Sequence, residues 1–246
     1  MPEHRFTKKT IMKYFFIALL SAFSFHSFGQ VVISDKNAEV RNVGSFSGIK
    51  VSGAVDVYLS QSNNYALAVS ASEEKFRDNI KTEIINGILN ISYNGGSMNF
   101  NGDKKLRAYI SFKDLKSIEA SGASDIIIND LFKTNDLKVR LSGASDIKGK
   151  IEIENVMLDL SGASTVKISG NVRNLKIEAS GASDMKNYDL MVDNCIADIS
   201  GASDVKITIN KSISAKASGA SSLYYKGNPE RKDVASSGAS NISQRN

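Results

Sequence analysis

The sequence contains few of the residue types on which enzyme chemistry most often depends. Of its 246 residues, two are histidine, one is cysteine and none is tryptophan. His4 and His26 lie in an N-terminal segment that we predict is removed, so the remaining chain excludes Ser-His-Asp triads, Cys-His dyads and histidine-ligated zinc sites. A single cysteine excludes an internal disulfide. Cys195 stands in the strand-like run "DNCIADIS", where we expect a buried thiol that packs as a small apolar side chain.

Residues 1–29 have the parts of a secretory signal peptide. A basic region precedes an apolar run over residues 14–25, and Ser27 and Gly29 place small residues just before the cleavage point. The apolar run is shorter than the ~20 residues that a membrane span needs. We therefore predict export, to the periplasm or the outer cell surface, and no transmembrane segment in the mature chain. A retained N-terminal anchor is the alternative, and Met12 is an alternative start.

The charge of the chain gives little support to a nucleic-acid partner. The formal net charge is +5, but residues 1–29 hold four of the 31 Lys+Arg and only one of the 26 Asp+Glu. The mature chain keeps 27 against 25, a formal charge of +2. We therefore expect no nucleic-acid partner.

The most frequent pattern in the chain is the stretch "SGAS", usually followed by Asp. Seven copies begin 18 to 21 residues apart, at Ser121, Ser142, Ser161, Ser180, Ser200, Ser218 and Ser237. Helical repeats are longer, about 33 to 47 residues. Between the copies apolar and polar residues alternate, as at Leu137, Val139 and Leu141, which is typical of strands. At ~3.3 Å per residue, twenty residues trace a loop of roughly 60 Å, the size of a triangular coil. We predict an all-β fold, a three-sided parallel β-helix with coils of about 19–20 residues.

We interpret the motif as the corner of each coil. Stacked coils place each corner residue over its counterpart, and only small side chains allow a sharp turn there. We expect one column of glycines with unusual φ angles, made by Gly122, Gly143, Gly162, Gly181, Gly201, Gly219 and Gly238. We expect the alanines to form a second column where the interior narrows, and the serines to form hydroxyl ladders for the backbone of the turn. The alternative is a ladder that binds a ligand.

The fifth position of the motif is the strongest candidate for a metal site. It carries Asp125, Asp146, Asp184 and Asp204, with Thr165 between the two pairs. Short polar residues suit an exposed turn. Neighbouring carboxylates could instead bind calcium together with backbone oxygens, although Thr165 breaks the column. We predict no other metal site, no cofactor and no catalytic residue.

We expect residues 30–246 to form one β-helix domain. Residues 116–246 would be the regular "SGAS" coils, and residues 30–115 irregular coils or a cap at the N-terminal end, since an open sheet edge needs cover. Near the other end, Tyr224 and Tyr225 interrupt the alternation. These two tyrosines are candidates for a partner contact, and packing at a coil edge is the alternative.

The motifs resemble those of the putative auto-transporter adhesin, head GIN domain family. The resemblance rests on "FSGIKVSGAVDVYLSQ" at residues 46–61, "INGILNISY" at residues 85–93 and the train of "SGAS" turns. It covers roughly residues 40–243. Members are exported proteins of Bacteroidetes-type bacteria without an established biochemical function. The resemblance implies a right-handed parallel β-helix and supplies no catalytic residues.

Three functions remain open. The first is a non-enzymatic protein of the cell envelope or surface that binds a glycan or protein partner along a flat face, since solenoids offer extended surfaces. The second is an envelope scaffold that assembles with copies of itself. The third, a polysaccharide lyase or hydrolase, needs clustered carboxylates or calcium beside a basic residue, whereas Arg140, Arg173 and Arg231 fall in separate coils. We expect the first.

Overall fold

The chain folds into a β-solenoid of about seven turns. The computed structural model describes residues 35–95 and 104–246. Its nearly all-β composition and parallel coils confirm the predicted fold class. The predicted signal peptide, residues 1–29, lies outside the described residues.

The described chain has sixteen strands and one short helix, α1 (Glu74–Arg77). The strands are β1 (Glu39–Arg41), β2 (Gly48–Val51), β3 (Asp56–Gln61), β4 (Ala66–Ser70), β5 (Ile80–Ile85), β6 (Ile88–Tyr93), β7 (Arg107–Phe112), β8 (Ser117–Ala120), β9 (Asp125–Leu141), β10 (Asp146–Leu160), β11 (Thr165–Ala179), β12 (Asp184–Ile199), β13 (Asp204–Ala217), β14 (Ser222–Lys226), β15 (Arg231–Ser236) and β16 (Asn241–Gln244). Across 35–95 and 104–246, no helix has the length and apolar character to span a bilayer.

The long strands β9 to β13 each make most of one coil, and consecutive coils pair in parallel. Asp146 lies opposite Thr165, and Asp184 lies opposite Asp204. The offset between paired residues is therefore 19 or 20 residues in these pairs, the spacing of the motif. Each residue of the repeat accordingly lies over its counterpart in the next coil.

Strand β10 shows how one coil acquires three sides. Three groups of its side chains are buried, namely Ile147, then Ile151 and Ile153, then Val156, Leu158 and Leu160. Gly149, with φ of +151°, lies between the first and second groups. Glu154 and Asn155 are both exposed and interrupt the alternation between the second and third groups. We name the sides by this strand: the first side is residues 146–148, the second 150–154 and the third 155–160.

The N-terminal end is less regular, because chain order and spatial order differ there. Strand β3 lies between β7 and β9, and β2 lies between β6 and β8. Strand β4 pairs antiparallel with β7, β5 with β6, and β1 with β4. The parallel stack therefore ends in antiparallel strands at this end.

Candidate functional site

The corner turns bring the motif glycines into one column. All seven have φ between +71° and +82°, the left-handed region that a side chain disfavours. Within the column, the N–H of each motif alanine from Ala144 onward donates to the carbonyl of the glycine one coil earlier, at 2.7–2.8 Å. A Cβ added to Gly162 would lie 2.5 Å from the carbonyl oxygen of Gly143. The stacked turns thus leave no room for a side chain at Gly162.

The motif alanines face in a direction that differs from the expectation. The alanines do not line the narrowing interior: all seven are exposed, Ala163 among them. The second serine of each of the first six copies is buried instead, with 0–1% of its surface exposed. The Ser164 hydroxyl donates to the carbonyl of Ser161 at 2.8 Å. The serine hydroxyl therefore satisfies the turn from inside the solenoid, because the left-handed glycine reverses which motif residue points inward.

The residues after the corner form two parallel columns on the outside of the first side. The aspartate column is Asp56, Asp125, Asp146, Thr165, Asp184 and Asp204. Two residues further along each strand runs the lysine column of Lys148, Lys167, Lys186 and Lys206. We call this surface the ladder face. Sequence reasoning missed the lysines, although they recur at the interval of the motif.

The four aspartates predicted as calcium candidates lie next to the lysine column. The Lys186 ammonium lies 2.8 Å from the Asp184 carboxylate and 3.9 Å from that of Asp204. Hydrogen bonding to Asp184 raises the pKa of Lys186 above its ordinary value. The Asp146 carboxylate accepts a hydrogen bond from the backbone N–H of Thr165 at 3.2 Å. Within the described ranges no group of three or more His, Cys, Asp or Glu could hold a metal ion. Asp184 and Asp204 thus lie beside a lysine ammonium group.

Two tyrosines lie beyond the N-terminal end of the lysine column, with Ile127 between Lys148 and Tyr58. The rings of Tyr58 and Tyr109 stack with centroids 5.1 Å apart. The Tyr109 hydroxyl donates to Asp35 at 2.9 Å, and the Arg107 guanidinium lies 3.5 Å from the same carboxylate. Burial opposes ionisation of Asp35, but hydrogen bonds from Ser70, the backbone of Asn37 and Tyr109 outweigh it and lower its pKa. This network holds the stacked rings in place.

Asp56 continues the aspartate column beside these rings. Burial, and secondarily the negative charge of Asp125, raise the pKa of Asp56 above its ordinary value. Arg107 and Lys148 partly offset this effect. Two carboxylates and two cations therefore meet where the tyrosine pair adjoins the columns.

A third tyrosine ends the lysine column on its C-terminal side. Tyr224 lies opposite Lys206, and the Arg245 guanidinium stands 4.4 Å from its ring centroid. Hydrogen bonding to Ser222, and further hydrogen bonds with Asn241 and Arg245, lower the pKa of the Tyr224 phenol. The ladder face therefore has tyrosines at both ends.

Tyr225, the other predicted contact residue, faces the opposite way. Only 5% of its surface is exposed, and it packs in the apolar core. A partner outside the solenoid can touch Tyr224 but not Tyr225. The alternation of a strand places these neighbours on opposite faces.

A ladder of amides runs along the start of the third side. Asn155 donates to Asp136 at 2.9 Å, Asn174 to Asn155 at 2.8 Å, and Asn194 to Asn174 at 2.9 Å. The Ser212 hydroxyl continues the ladder by donating to Asn194 at 2.8 Å. These residues also recur at the motif interval, so the sequence itself contains the signal for this ladder. We call this set the asparagine ladder.

Solved structures share the fold. The chain is 21% identical to a putative adhesin from Bacteroides fragilis, with a TM-score of 0.78, covering 86% of this chain and 98% of that one. A putative lipid binding protein from Parabacteroides distasonis is 20% identical, with a TM-score of 0.62 over 85% and 98% of the two chains. A putative adhesin from Parabacteroides merdae is 18% identical, with a TM-score of 0.60 over 84% and 95%. At these identities the likeness shows the fold alone.

Sequence comparison adds the family. No curated protein matches the chain. The family described as putative auto-transporter adhesin, head GIN domain matches residues 45–229, which include the variant corner at Gly53 and six of the seven "SGAS" corners. The family and the neighbours from Bacteroides fragilis and Parabacteroides merdae are named as putative adhesins. The chain belongs to the putative auto-transporter adhesin, head GIN domain family.

Proposed function

We propose that this protein is exported to the cell envelope or surface and acts without catalysis as an adhesin, binding a glycan or protein partner through the ladder face. The name putative adhesin, carried by the family and by the solved neighbour from Bacteroides fragilis, supports a surface role. The signal peptide predicted from residues 1–29 supports export. The ladder face is the observation that carries the proposal.

The ladder face has the properties of an extended binding surface. It presents lysines at every coil from Lys148 to Lys206, and its end residues Tyr58 and Tyr224 are only partly buried. Coils stack ~4.8 Å apart, so equivalent side chains form a regular row. Such a row can donate hydrogen bonds to an elongated partner, while the tyrosine rings provide apolar area with a polar end.

The charges on this face favour binding over hydrolysis. Lys186 pairs with Asp184, so part of the aspartate column is already engaged by a cation. A glycosidase instead needs one carboxyl group whose pKa is raised enough to act as an acid, and a second carboxylate across the scissile bond. Asp56 has a raised pKa, but Asp125 stands beside it in the adjacent strand. Its other close charges, Arg107 and Lys148, favour its ionised form.

A binding screen with matched variants tests the proposal. The purified protein is applied to an array of glycans and to immobilised surface proteins. The variant Lys148→Ser/Lys167→Ser removes two charges from the ladder face. The control Lys113→Ser/Lys150→Ser removes two exposed charges elsewhere. We expect saturable binding that weakens at least about tenfold in the ladder variant and stays within about twofold in the control.

Light scattering on the same samples completes the test. A protein that binds no partner and forms ordered, concentration-dependent oligomers would be an envelope scaffold, and the adhesin proposal would be wrong. Equal loss of binding in both variants would also contradict it, because the effect would then follow from net charge rather than from the ladder face.

A further inference from the structure

A groove on the third side forms a second surface that differs from the ladder face. It has a volume of about 490 Å³ and is lined by Lys116, Lys138, Met157, Ile196 and the asparagine ladder, among others. We call it the third-side groove. Its size falls in the range of about 300–1,000 Å³ that ligand sites occupy.

The floor of the groove combines apolar and charged side chains in one column. Register places Lys138, Met157, Lys176 and Ile196 in consecutive coils, all pointing outward. Ile196 is 58% exposed, and Met157 is half-buried. Ile196 and Met157 therefore leave apolar surface that a ligand in the groove could cover.

The asparagine ladder forms a wall of the groove and has amide N–H groups that make no hydrogen bond along the ladder. Each side-chain amide has two N–H groups. Asn155, Asn174 and Asn194 each use one of them to donate a hydrogen bond to the previous coil. The remaining N–H groups stand at coil spacing, ~4.8 Å apart. They can donate to hydroxyl oxygens that repeat along a ligand.

Two cations at one end of the groove have no carboxylate partner. In the described part of the chain, Lys116 and Lys138 make no ion pair, whereas Lys176 pairs with Glu178 at 2.6 Å. Lys116 is exposed and Lys138 is half-buried. An acidic ligand would meet these two ammonium groups there, and charge-assisted hydrogen bonds are the stronger kind. The exposed Asp136 carboxylate also lines the groove, where it accepts the hydrogen bond of Asn155.

We propose that the third-side groove binds an acidic glycan, one built with uronic acid residues, lying along the solenoid axis. The C–H faces of its sugar rings would pack on Met157 and Ile196. Its hydroxyl groups would accept hydrogen bonds from the asparagine ladder, and its carboxylates would bind Lys116 and Lys138. This second site goes beyond the proposed ladder-face adhesin and does not depend on it.

The pattern of the floor favours a sugar chain over a lipid. Lys176 lies between Met157 and Ile196, so the apolar side chains of this column do not form a continuous strip for an acyl chain. A sugar ring alternates apolar faces with polar edges, and the groove alternates in the same way from coil to coil. Coil spacing repeats these contacts along an extended ligand.

Calorimetric titration tests the inference. The probes are a galacturonic acid tetramer and the neutral galactose tetramer of the same linkage. The groove variant is Lys116→Ser/Lys138→Ser, and the control is Lys113→Ser/Lys150→Ser, which removes the same charge outside both surfaces. The ladder variant Lys148→Ser/Lys167→Ser is titrated in parallel to locate the binding. We expect the acidic tetramer to bind the wild-type protein saturably, at least about tenfold more weakly in the groove variant, and within about twofold in the control.

A second variant tests the apolar floor without changing charge. Ile196→Ser should also weaken the acidic tetramer, and because this side chain is largely exposed, the melting temperature should remain close to that of the wild type. Retained affinity in Ile196→Ser, or equal losses in the groove and ladder variants, would overturn the groove proposal.

The remaining outcomes separate this inference from the ladder-face proposal. If the acidic tetramer does not bind, or only the ladder variant loses it, the groove proposal is wrong. If the tetramer does not bind at all, the array screen still tests the ladder-face proposal independently. If only the ladder variant loses binding of the tetramer, the ladder-face proposal is supported. Binding of anionic phospholipid vesicles through Lys116 and Lys138, with no binding of the tetramer, would likewise overturn the glycan assignment.

Discussion

Replacing one corner glycine with alanine measures how much the stacking of turns contributes to stability. At Gly162 an alanine must adopt φ near +73°, at a cost of about 1–2 kcal/mol. Its Cβ would also lie 2.5 Å from the Gly143 carbonyl oxygen and 2.9 Å from the Gly143 nitrogen. Relieving that overlap requires a backbone shift, which costs about 1–3 kcal/mol more. We expect Gly162→Ala to destabilise the protein by about 2–5 kcal/mol.

Gly122 provides a matched control within the same column. Its φ is +82°, but a Cβ there would be 3.4 Å from the nearest atom, the backbone nitrogen of Gly53. Gly122→Ala should therefore show only the conformational cost of about 1–2 kcal/mol. In a domain of this size 1 kcal/mol shifts the melting temperature by roughly 2–4 °C, so the extra 1–3 kcal/mol of Gly162→Ala should separate the two variants by roughly 2–12 °C.

Thermal unfolding followed by calorimetry and circular dichroism distinguishes the two variants. If the melting temperature falls by the same amount in Gly162→Ala and Gly122→Ala, the stacking argument is refuted. The loss of stability would then come from the backbone conformation alone. A melting temperature unchanged in both would refute the left-handed turn as well.

Three further outcomes follow from particular contacts. Asn174→Ala removes two ladder hydrogen bonds and should cost about 1–2 kcal/mol in urea unfolding, whereas Asn171→Ala in the same strand should change stability by less than about 0.5 kcal/mol. Burial raises the pKa of Cys195 to about 12, so a thiol reagent at neutral pH should label it only when denaturant unfolds the protein, and rapid labelling of the folded chain would contradict its burial. Because the pKa of Asp35 is lowered in the fold, its stabilising effect is full above the ordinary value of 3.8 and is lost as pH falls through the folded-state pKa. The stability difference between wild type and Asp35→Asn should therefore shrink in acid, and a difference that grows there would contradict the hydrogen-bonded network around Tyr109.

The solenoid could be predicted from the sequence because a stack of coils turns spatial repetition into chain repetition. The interval from Ser142 to Ser161 is the offset between paired strands, as the pairing of Asp146 with Thr165 shows. Once that offset is known, outward columns such as Lys148 and Lys167 can also be read directly from the sequence. The lysine column and the asparagine ladder were therefore within reach of sequence reasoning.

Other features could not be predicted from the repeat. The stacking of Tyr58 on Tyr109 depends on β3 lying between β7 and β9, and this order arises outside the regular motifs. The direction of the motif residues depends on backbone angles: strand alternation does not pass through a left-handed glycine such as Gly162, so the following serine, Ser164, is buried and the alanine, Ala163, is exposed. Periodicity alone does not reveal that reversal.

The asparagine ladder and the lysine column differ in whether their side chains can hydrogen-bond to one another. An amide both donates and accepts, so Asn174 satisfies its neighbours within the column. A lysine only donates, and two ammonium groups stacked ~4.8 Å apart repel by a little under ~1 kcal/mol in water. In the described chain only Lys186 of its column has a carboxylate within ion-pair distance, which leaves Lys148, Lys167 and Lys206 without one. A partner rich in acceptors would relieve that repulsion. Because salt screens the same repulsion, the affinity of a ladder-face partner should fall as salt rises, while the contribution of the asparagine ladder to stability should not.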